Sequence, residues 1–126
     1  MDHQVCQFGC PVTDILYFLH TSVSTDLMDQ HYKLVKEYHN TLKETFKLLG
    51  YEHLAPSMVQ LQNQLDKRSK YAIIVCGTVL PVVLADPNYI PDLEQIMKDG
   101  NSVHFSDDFK RVIKKHLPEL ERKGWL

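Results

Sequence analysis

Apolar residues recur every three or four positions along most of this chain, and short polar or turn-rich breaks separate the periodic stretches, which is the pattern of packed helices. Thr13 is placed to cap a helix over about 14–22, in which Ile15, Leu16, Phe18 and Leu19 leave almost no polar face, so this helix belongs at the centre of the fold. From Ser24 or Thr25, residues Leu27, Met28, Tyr32, Leu34, Val35, Tyr38, Leu42, Phe46 and Leu49 keep helical spacing until Gly50 stops it. They predict an amphipathic helix of about 25 residues, roughly 37 Å long. Its other face carries Asp29, Lys33, Lys36, Glu37, Lys43, Glu44 and Lys47 and reads as solvated, with Asp29 set to pair with Lys33.

Ser57 and Gln60 have the spacing of a reciprocal capping box, so a third helix is expected to start there and run through Leu61 and Leu65. After the polar cluster Asp66 to Lys70 comes an unbroken apolar run, Tyr71 to Ala85. At roughly 22 Å it is short of the roughly 30 Å hydrocarbon core of a membrane, and Gly77 and Pro81 interrupt it. It reads as a buried helix kinked at Pro81 rather than a membrane span. A turn-rich loop, 86–91, ends the run, and a short helix is predicted at about 91–99, stopped by Gly100 and Asn101. Ser106 caps a last helix, with Asp107 and Asp108 in its first turn and Lys114, Lys115 and His116 toward its end, until Pro118 interrupts the pattern. The fold class is mainly α, with no repeat and no interior linker marking a second domain.

Composition narrows the functional classes. Of 126 residues, 44% are hydrophobic and 24% charged, an ordinary globular balance. The net charge is −2 and no basic stripe interleaves with aromatics, so no nucleic-acid partner is expected. No secretory segment is visible at the N-terminus, and a cytoplasmic, reducing location is expected. Three cysteines, Cys6, Cys10 and Cys76, cannot pair completely and read as free thiols. His3, Cys6 and Cys10 lie close in sequence but lack a fourth partner for a closed zinc site. The seven histidines are taken as surface or half-buried residues, since none has ligand or general-base spacing.

Phosphoryl transfer needs a phosphate cradle, a metal held by carboxylates and an acid that handles the attacking hydroxyl. The five glycines are too scattered to form a phosphate loop, and no His-x-Asp triplet occurs. No catalytic residue or nucleotide-binding residue is therefore assigned. One element of the set does stand out. Asp2 sits at the tip of an expected short strand, ahead of a Gly9-Cys10-Pro11 turn, where a hard carboxylate oxygen suits magnesium. Asp14 opens the very apolar helix and is expected to be drawn partly inside, bonding N–H groups as a cap or as an anchor for a neighbouring loop.

Several of these residues taken together resemble a known family. Asp2-His3-Gln4, the turn to Pro11, Asp14 to Leu19 with Thr21-Ser22-Val23, Tyr38-His39 with Leu49-Gly50-Tyr51, Leu80-Pro81 with Leu84-Ala85-Asp86, and the closing Lys123-Gly124-Trp125-Leu126 look like the ecdysteroid kinase-like proteins of insects. The likeness maps onto the C-terminal third of a family member. It implies a two-lobed, protein-kinase-like fold that moves the ATP γ-phosphate to a hydroxyl of a small molecule, with ecdysteroids the best-known substrate class. By that resemblance residues 1–126 are a helical C-lobe fragment. Asp2 is the magnesium-binding acid, with His3 where the family has phenylalanine, and Asp14 is the structural acid that buttresses the catalytic loop. The helices from Thr25 onward wall the acceptor pocket. Mg2+ and ATP are the cofactors of the intact family, and a small-molecule substrate is its partner, with no nucleic acid and no membrane. The family's ATP-binding lobe, phosphate-contacting lysine and catalytic aspartate would lie ahead of Met1, so the chain is expected to be inactive as it stands and to bind no cofactor alone. The alternative from another class is a self-standing helical module that binds a small apolar ligand or a protein partner.

Overall fold

The computed structural model describes residues 9–86 and 105–126. Asp2, His3 and Cys6, most of the turn-rich loop and the helix expected at 91–99 lie outside them. Among the described residues every regular element is helical, in keeping with the mainly α expectation.

Helix α1 spans Val12–Thr21 and starts two residues earlier than the sequence suggests. Pro11 stands at its N-cap with φ −60°, an angle the ring fixes in advance for a helical start. Thr13 is not the cap. Its hydroxyl donates back to the Cys10 carbonyl at 2.8 Å, an alternative that short polar side chains offer the backbone. As its apolarity predicts, α1 is central, packing on three helices introduced below, α3, α4 and α5.

The single long helix expected after Ser24 is divided. A 3-10 helix covers Thr25–Gln30, and α2 covers His31–Leu48. The change falls at Gln30, whose φ −98° and ψ 2° lie outside α geometry. Gly50 ends α2 as predicted. Its φ of +79° places it in the left-handed region, and Tyr51 N–H to Phe46 O (2.8 Å) with Gly50 N–H to Lys47 O (3.1 Å) forms a Schellman closure.

Helix α3 (Met58–Lys67) opens with the predicted capping box: Gln60 N–H donates to Ser57 Oγ at 3.2 Å, and Ser57 N–H donates to Gln60 Oε1 at 2.8 Å. The apolar run becomes α4 (Lys70–Thr78) and a short α5 (Leu80–Val83), separated at Val79. Pro81 explains the break, because it has no N–H to return to Gly77 and its ring crowds the preceding turn.

Helix α6 (Asp107–Arg122) is capped by Ser106, whose hydroxyl accepts from Phe109 N–H at 3.0 Å and donates to the Leu84 carbonyl, tying α6 to the end of α5. The expected interruption at Pro118 does not occur. The helix continues to Arg122, since Pro118 and Lys114 lie on the exposed face, where water can meet the carbonyl the proline leaves free.

The core gathers Val12, Ile15, Leu16 and Leu19 of α1 with Val35, Leu61, Leu65, Ala72, Cys76 and Leu120. Leu16 and Leu120 are wholly inaccessible to solvent. Among the described residues no helix is long and apolar enough to cross a membrane.

Candidate functional site: the two faces of helix α1

One face of α1 borders an apolar cleft of about 370 Å³ shared with α2 and lined by Pro11, Asp14, Ile15, Phe18, Leu19, Leu34, Val35 and Tyr38. Phe18 is 56% exposed and Tyr17 40% exposed, whereas Ile15 and Leu19 are buried. Asp14 lines this cleft but is not drawn inside: it is exposed. Helical geometry explains the correction. Val12, Ile15, Leu16 and Leu19 define the buried stripe, and position 14 falls off it, so the carboxylate turns outward in the first helical turn, where it suits the helix dipole.

Asp14 is the only carboxylate among the described residues that line the cleft, and no basic side chain joins it there. One exposed carboxylate does not make a magnesium–nucleotide site, which needs further oxygen ligands and a phosphate cradle. Asp2, the expected metal ligand, lies outside the described residues, as does its place relative to Asp14.

The opposite face of α1 ends in a buried cluster of imidazoles. His20 from α1, His31 from the start of α2 and His116 from α6 are 1%, 4% and 1% exposed. His20 Nδ1 lies 3.3 Å from His116 Nδ1, and the His31 ring stands edge-on to His20 at a centroid distance of 5.3 Å. Trp125 closes the cluster, its ring 6.2 Å from His20 and beneath the Lys123 ammonium at 4.9 Å. Burial pushes His20 down to about 3, helped by His116 and His31, and pushes His31 down to about 4, helped by Lys123. His116 is lowered by the same burial. All three rings are neutral at pH 7.

Cys76 from α4 joins this cluster, and single ligand atoms of His20, Cys76 and His116 lie within 4.8 Å of one another. Burial raises its thiol to about 11. His20 Nε2 and both ring nitrogens of His31 are buried without a protein partner. Beside them Glu119 is held at about 2, first by its hydrogen bond from Arg122, and it also pairs with Lys123 at 3.4 Å.

The expectation of surface or half-buried histidines therefore fails for His20, His31, His39 and His116, all buried. His39 has a simple role, its Nε2–H donating to the Pro56 carbonyl at 2.8 Å and fastening α2 to the start of α3. The missed signal was periodicity. His20 extends the Val12, Leu16 stripe by one more turn, His31 and His39 flank Val35 at four-residue steps, and His116 sits four residues before Leu120.

No curated protein and no solved structure matches the chain. A family does. Residues 1–51 match the ecdysteroid kinase-like family, a stretch that takes in Asp2, Asp14, all of α1 and α2, and the Gly50 closure. Over that N-terminal part the chain is similar to this kinase-like family.

Proposed function

We propose that this chain is the helical, acceptor-side portion of a small-molecule O-phosphotransferase. The observation that carries the reading is the family match over residues 1–51, which spans both acids singled out in the sequence and the two helices that border the cleft. In this reading Asp2 is a magnesium ligand, Asp14 steadies a neighbouring catalytic loop, and the α1–α2 cleft takes the apolar body of an ecdysteroid-like alcohol. Its volume lies within the roughly 300–1,000 Å³ of small-molecule sites, and its apolar lining with a few polar groups, the Asp14 carboxylate and Tyr38 hydroxyl, is the composition such sites favour.

Phosphoryl transfer is almost wholly positioning and electrostatic stabilisation. No motif in these 126 residues supplies the nucleotide cradle, the phosphate-binding lysine or the acid that accepts the hydroxyl proton. By itself the chain therefore transfers no phosphoryl group. The test is calorimetry with Mg2+ and ATP on the chain alone and on the chain fused to the nucleotide-binding lobe and catalytic loop of an ecdysteroid kinase-like relative. The chain alone should give no heat of binding, and the fusion should bind and phosphorylate an ecdysteroid, losing both on Asp2→Asn. Magnesium-dependent ATP binding by the chain alone contradicts the inactivity, and a fusion indifferent to Asp2→Asn contradicts the metal role.

A second reading, a self-standing helical binding module, is favoured by the continuous core that the described helices bury among themselves. It shares the cleft with the first reading. The two part on the fusion, which on the second reading binds the ligand without phosphorylating it.

A further inference from the structure

We propose that His20, Cys76 and His116 form a zinc site that staples α1, α4 and α6 together. Two observations converge. The ligand atoms come from three different helices yet lie within 4.8 Å of one another. The His20 and His116 Nδ1 atoms are 3.3 Å apart, and two imidazole nitrogens each about 2.0–2.1 Å from a tetrahedral zinc ion are separated by about 3.3 Å. The imidazole pair therefore already stands at ligand spacing. A thiolate at about 2.3 Å from the same ion would sit roughly 3.5 Å from each nitrogen, which the Cys76 side chain reaches with a displacement on the order of 1 Å.

The donor set selects the ion. Two imidazoles and a thiolate suit borderline-soft zinc and not magnesium or calcium, which demand oxygen. The alternative account of the short nitrogen–nitrogen distance is one hydrogen bond between the rings. It uses one N–H and one lone pair and gives the thiol no part, whereas an ion engages both lone pairs and the sulfur together. His20 and His116 also line, with Ser22 and Ser24, a cavity of about 340 Å³, a source of the water that would complete the tetrahedron. A ligating His20 keeps an N–H at Nε2, the atom that lies buried without a protein partner. The nearby ammonium of Lys123 is balanced by Glu119 at 3.4 Å.

The site is tested on the full chain, reduced, stripped with a chelator and titrated with Co2+ and then Zn2+. The expected spectrum combines a thiolate-to-cobalt charge-transfer band with intense tetrahedral visible bands, displaced by one equivalent of zinc, and zinc raises the unfolding midpoint by several degrees. Cys76→Ser abolishes the charge-transfer band, and His116→Gln weakens zinc binding at least about tenfold, in line with losses of about 10–100-fold when even supporting groups are removed. Circular dichroism checks that each variant is folded, and native mass spectrometry of the unsubstituted chain, which should carry one zinc, stands independently of them. The double variant Cys6→Ser/Cys10→Ser must leave the spectrum unchanged. A spectrum lost in that double variant but kept in Cys76→Ser, a weak octahedral spectrum only, or zinc affinity equal in the chain and in His116→Gln overturns the proposal.

Discussion

Helix α1 meets two unlike environments across the width of one backbone. Its inner face carries Val12 and Leu16 into the core and then, one turn on, His20 into a nest of neutral imidazoles; its outer face holds Phe18 half in solvent beside an open cleft. Polar rings are inside and an aromatic ring is outside. Side-chain polarity alone therefore does not locate the core of this chain. The apolar character of α1 serves packing on one face and, in the function proposed above, ligand binding on the other, and the two should respond differently to substitution, to pH and to ligand.

The sharpest contrast is truncation on each face. Leu16→Ala, at a wholly buried position, should cost about 2–5 kcal/mol in urea unfolding, from lost transfer energy and the cavity left behind. Phe18→Ala should cost less than about 1 kcal/mol, since much of that ring is in water already. Equal losses at the two positions would mean that the cleft is part of the core.

Acid should find the inner face first. His20 and His31 titrate at about 3 and about 4 in the folded chain, against 6.5 when unfolded. Between these values the unfolded chain binds more protons than the folded one, so stability is full above about pH 6.5 and is lost as pH falls toward 4. Each such histidine contributes a slope of up to about 1.4 kcal/mol per pH unit. Urea midpoints of the metal-free chain at pH 7, 6 and 5 check this, and His31→Leu should flatten the slope. A stability that is flat or rising on acidification breaks the account of a neutral buried cluster. Glu119, held at about 2, acts in a separate and lower window, below its usual 4.5.

The outer wall of the cleft, α2, depends on its ends. Gly50→Ala forces a side chain into the left-handed conformation at φ +79° and should cost about 1–2 kcal/mol, loosening ligand binding while leaving the pH slope unchanged. Smallest of all is the exposed Lys115–Asp26 pair at 3.2 Å, where Lys115→Ala should change stability by no more than about 0.5 kcal/mol and vanish in high salt.

Much of the fold was legible from local chemistry. Gly50, the Ser57–Gln60 box, the Ser106 cap and the break ahead of Pro81 act through hydrogen bonds within four or five residues, which a sequence displays directly. The misreadings are of two kinds. Thr13, Gln30 and Pro118 were settled by small backbone preferences that compete with equally good local alternatives. The buried cluster joins His20, Cys76 and His116, and nothing local announces a contact across 96 residues, although the helical period already placed His20 and His116 on buried stripes. Asp14 shows the converse: an acid beside apolar residues reads as drawn inward until its angular position on the helix is considered.

Calorimetric titration of an ecdysteroid into the chain and into Phe18→Ala tests most directly whether the outer face of α1 is a binding surface and the inner face a structural one. The account predicts saturable binding by the chain, weakened at least about tenfold in Phe18→Ala, a loss of about 1.4 kcal/mol, with the urea midpoint nearly unmoved. No binding, or binding of equal strength in the two proteins, would contradict it.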